Sequence, residues 1–183
     1  SERMTNTDVL EFTIKPARGL IIKSQNSYMV YQRHDYQFWP SYLPKNTEGE
    51  GADAYRYEGD ARRLTSENTI SYSKKFASGH YFDAMAGFSA THETANFFSL
   101  KAEGLLTDDL KWNNMNGIGS KENYSASTSS NKVVRESVLM RLNYNYKSRY
   151  YFTFTGRYDG SSNFAENNKW GFFPSAAVKW NAK

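Results

Sequence analysis

The sequence predicts an all-β chain, folded as an antiparallel up-and-down meander of about seven strands. Three observations predict it. From Glu136 to Lys183, apolar and polar residues alternate with period two: Val138, Met140, Leu142, Tyr144 and Tyr146 hold one parity, and Ser137, Leu139, Arg141, Asn143 and Asn145 the other. Successive side chains of a strand point to opposite faces, so this pattern describes strands with one greasy and one wet side. The connections between such stretches alternate short and long. No stretch approaches the ~20 apolar residues of a membrane-spanning helix. Two architectures use this pattern: a soluble antiparallel sheet with one solvated face, and a membrane barrel with lipid outside and water inside.

The first strand is expected at Asp8–Lys15, with Leu10, Phe12 and Ile14 on one parity. Pro16, Ala17, Arg18 and Gly19 form a tight turn, since Pro fixes φ and Gly permits positive φ. The second strand spans Leu20–Arg33, longer than the ~9–11 residues a membrane span needs. A loop is expected over 34–62, holding Trp39-Pro40, Tyr42, Pro44 and the stretch EGEGADAYRYEG. The third strand, Arg63–Phe76, turns at 77–79 into the fourth, His80–Thr91. A second long loop covers about 95–135 and includes the tract SASTSSN at 125–131. The fifth strand is Glu136–Tyr146, with a turn at Lys147-Ser148. The sixth, Arg149–Tyr158, sets Tyr150, Phe152 and Phe154 against Tyr151, Thr153, Thr155 and Arg157. A loop over 159–170 leads to the seventh, Gly171–Asn181.

Outer-membrane barrels join their strands by short periplasmic turns and longer extracellular loops, whereas soluble sandwiches mix loop lengths. The alternation therefore favours a barrel. It places the turns at 16–19, 77–79 and 147–148 on the periplasmic side and the loops at 34–62, 95–135 and 159–170 outside. Tyr146 and Trp180 fall near one rim and Tyr158 near the other, at the heights of aromatic girdles. Seven strands with two free edges cannot close, and open edges in lipid cost several kcal/mol per unpaired group. The expectation is one domain over 1–183: about seven strands of a larger transmembrane β-barrel, of the plugged 22-stranded kind. The amino terminus has no basic, apolar and small-residue succession of a signal peptide and reads as beginning in mid-protein.

Composition narrows the function. With no Cys among 183 residues, disulfides, thiolate metal sites and Cys nucleophiles are excluded. The net charge of +4 is spread along the chain, without the clustered basic stripe and stacking aromatics of a nucleic-acid binder. The 14 Tyr and 4 Trp suit boundaries between apolar and wet phases.

The string NYNYKSRYYFTFTGRYDGSSNF, followed by NNKWGFFPSAAVKW, closely resembles the SusC/RagA family of TonB-linked outer-membrane transporters. GLLTDDLKWNN at 104–114 resembles an extracellular loop of that family, and the spacing of the strands at 63–76 and 80–92 fits it too. The match is dense over 141–178, and general strand character alone over 1–62. The resemblance implies a piece of a large barrel in the outer membrane of a Gram-negative, Bacteroidetes-like bacterium. It implies import of an oligosaccharide or peptide, a SusD-like surface lipoprotein as partner, and TonB acting through a plug outside this chain. No cofactor and no enzymatic step is implied.

Candidate sites follow two themes. Trp39, Tyr42, Tyr55, Tyr57 and Trp112, with Phe97 and Phe98, fall in the expected extracellular loops. Such rings stack on the C–H faces of sugars or anchor a partner protein; packing of loop on loop is the bland alternative. Arg141, Asn143, Asn145 and Arg157, with Lys179, share the wet parity and would face the lumen, lining a channel or bonding a plug. Every wet-faced strand also carries such residues. His34, His80 and His92 show no metal-ligand spacing. Asp108-Asp109 and Glu48/Glu50 are neighbours in loops rather than carboxylates across a cleft. The family resemblance makes Asp108-Asp109 part of a loop packing motif. Asp159, Ser161 and Asn163 begin a calcium-like pattern that lacks its bidentate Glu, and a turn explains them. The alternative whole-chain reading is a soluble β-sandwich that binds carbohydrate or mediates adhesion. A sandwich would bury Met140, Leu142, Phe152 and Phe154 beneath a second layer.

Overall fold

The computed structural model describes residues 1–43, 51–109, 111–116, 123–165, 167 and 169–182. Seven strands follow in chain order: β1 (Glu2–Ala17), β2 (Leu20–Trp39), β3 (Ala52–Lys75), β4 (His80–Leu105), β5 (Tyr124–Tyr146), β6 (Tyr150–Ser161) and β7 (Trp170–Trp180). A 3₁₀ turn, Lys111–Asn113, lies between β4 and β5. The strands form one sheet in the order β1-β2-β3-β4-β5-β6-β7, the meander that the sequence predicts.

Five strands are markedly longer than the apolar alternation suggests. β1 begins at Glu2 and runs to Ala17, into the expected turn; β2 runs on to Trp39, β3 begins at Ala52, β4 continues to Leu105 and β5 begins at Tyr124. The expected loops at 34–62 and 95–135 shrink to 40–51 and 106–123, and the SASTSSN tract is strand. These extensions mix aromatic and small apolar residues with charged ones, so no sustained apolar face marks them as strands. Ladder hydrogen bonds between neighbouring backbones hold them, and strand preference is set largely by such context. Same-face charge pairs recur along them, including Arg56–Glu58 and Lys101–Glu103.

The chain divides into two compact units, and β1, β2, β3, β4 and β5 each contribute residues to both. One comprises Ser1–Asn6, Met29–Arg62 and Thr94–Lys132. Its core is Ala52, Ala54, Ala102, Leu105 and Met115, with Phe38, Leu100, Trp112 and Tyr124 packed against it. The alanines are fully buried. Their small side chains let the 111–116 segment lie close to the strands, and the Tyr124 hydroxyl donates to the Met115 carbonyl.

The other unit comprises Thr7–Tyr28, Arg63–Glu93 and Val133–Lys183. Its register sets Val138, Tyr158 and Phe172 side by side, then Leu142, Phe154 and Ala176, then Tyr144, Phe152 and Val178, then Tyr146, Tyr150 and Trp180. One face is therefore apolar across three strands, with aromatic rows at both ends. Tyr150 to Tyr158 is eight steps of ~3.3 Å, roughly 26 Å along the strand. That face has no second layer among the described residues: Met140 is 52% and Val178 85% exposed. Phe152 is also exposed, while Leu142 and Phe154 are half-buried.

Tight turns close this unit. Gly19 has φ 80°, and a Cβ there would lie 2.1 Å from the Ser73 carbonyl oxygen. Only glycine lets the β3 backbone approach, and the Ser73 N–H donates to the Gly19 carbonyl at 2.8 Å. Lys147 and Ser148 both take positive φ, 49° and 54°. The Arg149 N–H closes that turn on the Tyr146 carbonyl at 3.0 Å.

Candidate functional site

The aromatic residues singled out above do not form one platform. Tyr55 and Tyr57 stand within β3, Trp39 ends β2, and Phe97 and Phe98 lie within β4, so these five are strand residues rather than loop residues. Only Tyr42 and Trp112 sit in connections. Tyr42 is 79% exposed, on a turn closed by the Leu43 N–H donating to the Pro40 carbonyl at 3.2 Å. Trp112 is half-buried and stacks on Tyr36, with centroids 6.0 Å apart, and His34 also stacks with Tyr36 at 6.2 Å. Tyr57 stacks on Phe97 at 6.1 Å and lies under the Arg33 guanidinium at 5.1 Å.

The same unit holds an open polar groove of about 280 Å³. Gln32, His34, Glu58, Asp60 and Asn96 line it together with Phe97 and Phe98. Asn96 donates to Asp60 at 3.4 Å and accepts from the Ser130 hydroxyl at 2.8 Å. Such a groove offers acceptors, an amide and aromatic faces, the equipment for a hydroxyl-rich or peptide ligand. Sequence reasoning missed it because its residues lay in an expected loop. The signal was the alternation of Tyr55, Tyr57 and Gly59 against Arg56, Glu58 and Asp60.

Electrostatics hold the neighbouring side chains. The Glu58 carboxylate accepts from Arg56 Nε at 2.8 Å and raises the guanidinium's pKa above its ordinary value. The Arg56 guanidinium in turn lies 5.4 Å from the Tyr36 ring centroid. Asp35 is buried, and its pKa is lowered, first by a hydrogen bond from Ser1 and then by Arg33, against the opposing cost of desolvation.

Asp108 joins two connections. Its carboxylate accepts from the Ser41 backbone N–H at 3.1 Å and from the Ser41 hydroxyl at 3.0 Å. Asp109 accepts from the Thr107 hydroxyl at 3.1 Å. This is loop packing of the kind the resemblance implies. Glu48 and Glu50 lie outside the described residues, as does Pro44.

Of the wet-parity residues in the other unit, Asn143 is the most engaged. It donates to Asp83 at 3.0 Å and accepts from the Thr153 hydroxyl at 3.0 Å. Asn145 accepts from the Ser148 N–H at 2.8 Å, capping the turn. Arg157 donates to both Asp159 oxygens at 2.7 Å. Arg141 is exposed. Asp159 is thus an ion-pair partner, and no cluster of three metal-ligating side chains occurs among the described residues. His80 is tied to the Tyr144 hydroxyl at 2.7 Å through Nδ1.

The chain matches no family model. It is 37% identical over 163 residues to TonB-dependent receptor P3 of Formosa agariphila, a match covering 89% of this chain and 16% of that protein. It is 34% identical over 137 residues to TonB-dependent receptor SusC of Bacteroides thetaiotaomicron, covering 73% of this chain and 13% of that protein. The chain thus spans less than a fifth of the length of these relatives. In fold it is similar to the RagAB peptide importer in its open-open state, with TM-score 0.79 at 19% identity over 95% of this chain and 20% of that one. The homologues of this chain are TonB-dependent receptors of the SusC/RagA family, transport receptors and not enzymes, and it matches a piece of them the size of a barrel fragment.

Proposed function

We propose that this chain is an arc of the β-barrel wall of a TonB-dependent outer-membrane importer, together with strand extensions and loops on the extracellular side. The bare apolar face of β5, β6 and β7 carries this reading. Tyr150 through Tyr158 gives about nine residues, within the ~9–11 of a tilted membrane strand. Aromatic rows bound the face at both ends, as girdles do at the two interfaces. The single sheet offers nothing to a sandwich, which would cover Met140 and Phe152.

The cargo is a glycan or peptide, and the mechanism is a change of accessibility without covalent chemistry. A SusD-like lipoprotein rests on the loops, and TonB acts through a plug carried elsewhere in the protein. Trp39, Tyr42, Tyr55, Tyr57 and Trp112 serve ligand or lid. Exposed Tyr42 is the best placed for an incoming partner, and the groove of Gln32, His34, Glu58, Asp60 and Asn96 adds the polar contacts. Arg141, Asn143, Asn145 and Arg157 face the lumen; the hydrogen bonds of Asn143 to Asp83 and Thr153, and of Arg157 to Asp159, support a wet face there.

The test is the intact size and location of the native chain that carries this segment. A species several times larger than 21.0 kDa in the detergent-extracted outer-membrane fraction is expected. A free species near 21.0 kDa in the soluble fraction would overturn the reading.

A further inference from the structure

The apolar face of the second unit is not flat. A hollow of about 420 Å³ opens in it, bordered by Ile70, Tyr72, Met140 and Phe154 and floored by Ala84 and Ala86. Two alanines on β4 set between larger residues on β3 and β5 make the depression. A hollow in a face already apolar suits a hydrocarbon chain.

The strands that border it run to a basic turn end. Lys74 follows Tyr72 by two residues on β3, and Lys147 and Arg149 lie in the turn beyond Tyr146. Each cation sits by a ring: Lys74 Nζ is 4.9 Å from the Phe76 centroid, Lys147 Nζ 5.3 Å from Tyr146, and Arg149 Cζ 5.8 Å from Tyr150. The two turns are joined, since the Lys147 N–H donates to the Gly79 carbonyl at 2.7 Å. No Asp or Glu occurs in 68–82 or 137–158. None of the three cations forms an ion pair among the described residues. All three are exposed. Between hollow and cations lies one polar step, the His80–Tyr144 hydrogen bond, with the His80 ring 4.5 Å from Tyr146.

We infer that this face holds an anionic phospholipid, its phosphate at Lys74, Lys147 and Arg149 and an acyl chain in the hollow over Ala84 and Ala86. The inference rests on the barrel reading above. The order along the strands matches the order along the lipid: hydrocarbon, then ester at the His80–Tyr144 level, then phosphodiester at the cations. Basic side chains near a membrane surface favour anionic headgroups by a roughly five-fold affinity gain each. Free phosphate would gain nothing from the hollow, and a zwitterionic lipid nothing net from the cations.

The test uses the whole receptor that carries this segment, purified in detergent, stripped of lipid and offered equal phosphatidylglycerol and phosphatidylcholine of one chain length. Retained lipid is counted by native mass spectrometry. Phosphatidylglycerol should be retained preferentially, and K74Q/K147Q/R149Q should abolish that preference. Ala86→Phe should lower retention of both lipids. Excess glycerol 3-phosphate should not displace the lipid. Equal retention by the wild type, an unchanged preference in the triple variant, or displacement by glycerol 3-phosphate would each overturn the inference. Heat-dependent gel migration reports barrel folding in every variant. A wild-type receptor that is no membrane barrel defeats the underlying reading; a folded barrel indifferent to headgroup defeats the lipid site alone.

Discussion

A Cβ on Gly160 would lie 2.7 Å from three atoms of the Trp170 indole, which stacks on Tyr158 with centroids 4.9 Å apart. The ring is rigid and already paired, so it has nowhere to retreat. Gly156 faces a softer neighbour: its Cβ would meet Met140 Cγ at 3.2 Å, and an exposed methionine can turn away. Gly160→Ala should therefore destabilise the folded receptor by about 1–3 kcal/mol, and Gly156→Ala by less. Denaturant midpoints of the two variants check this, and equal shifts would refute the account. The pair of Tyr42 and Trp112 gives a second contrast. Trp112 packs against the alanine core, so Trp112→Ala should lower thermal stability by about 1–3 kcal/mol, less than a fully buried tryptophan costs. Tyr42→Ala should stay within about 0.5 kcal/mol of wild type while weakening lid or ligand binding. A stable Trp112→Ala protein with unchanged melting would remove Trp112 from the packing role. The sequence marked both residues as aromatic and in connections; it could not show that Tyr36 stands ready to stack on one of them.

At the scale of elements, the strands legible in advance were those with an apolar face. β6 and β7 fall within a few residues of expectation because Phe152, Phe154, Ala176 and Val178 must share one side. The outer parts of β2, β3, β4 and β5 were harder to read, because Arg56, Glu58, Asp60 and the serines of 125–130 interrupt any sustained hydrophobic period, and the core there is built of small alanines. Their pairing depends on neighbours far along the chain. Cross-strand charges mark it only afterwards: Glu93 accepts from Arg63 Nε at 2.9 Å, and Arg135 lies 3.7 Å away. The polar groove was hidden for the same reason. Connections behave similarly. Asp108 looked like a loop carboxylate, yet it fastens the Ser41 turn through two hydrogen bonds. Asp108→Ala should release that turn at a cost of about 0.5–1.5 kcal/mol per bond. Faster limited proteolysis near Ser41, with the strands still protected, is the expected readout. Ser41→Ala keeps the backbone bond and should have the smaller effect; the reverse order would contradict the geometry.

At the scale of the whole molecule, the decisive fact is that a sheet with one bare apolar face has two outer edges. β1 and β7 each have a neighbour on one side only among the described residues. In water the exposed face invites association, and in lipid each unpaired backbone group on an edge costs several kcal/mol. Neither environment suits the seven strands alone, which agrees with the barrel arc proposed above. The balance of charge agrees with such a setting. Asp and Glu are absent from the segments 12–34, 68–82, 137–158 and 167–183, while Arg18, Lys74, Lys75, Lys147 and Arg149 lie at or near the turns within them. It follows that the 183-residue chain refolded by itself into detergent micelles should give no heat-dependent shift in gel migration and should aggregate on dilution. The complete receptor under the same conditions should show the shift. If the isolated chain instead stayed monomeric without detergent and melted cooperatively, a covered apolar face would be required, and the barrel arc would have to be replaced by a self-sufficient sheet.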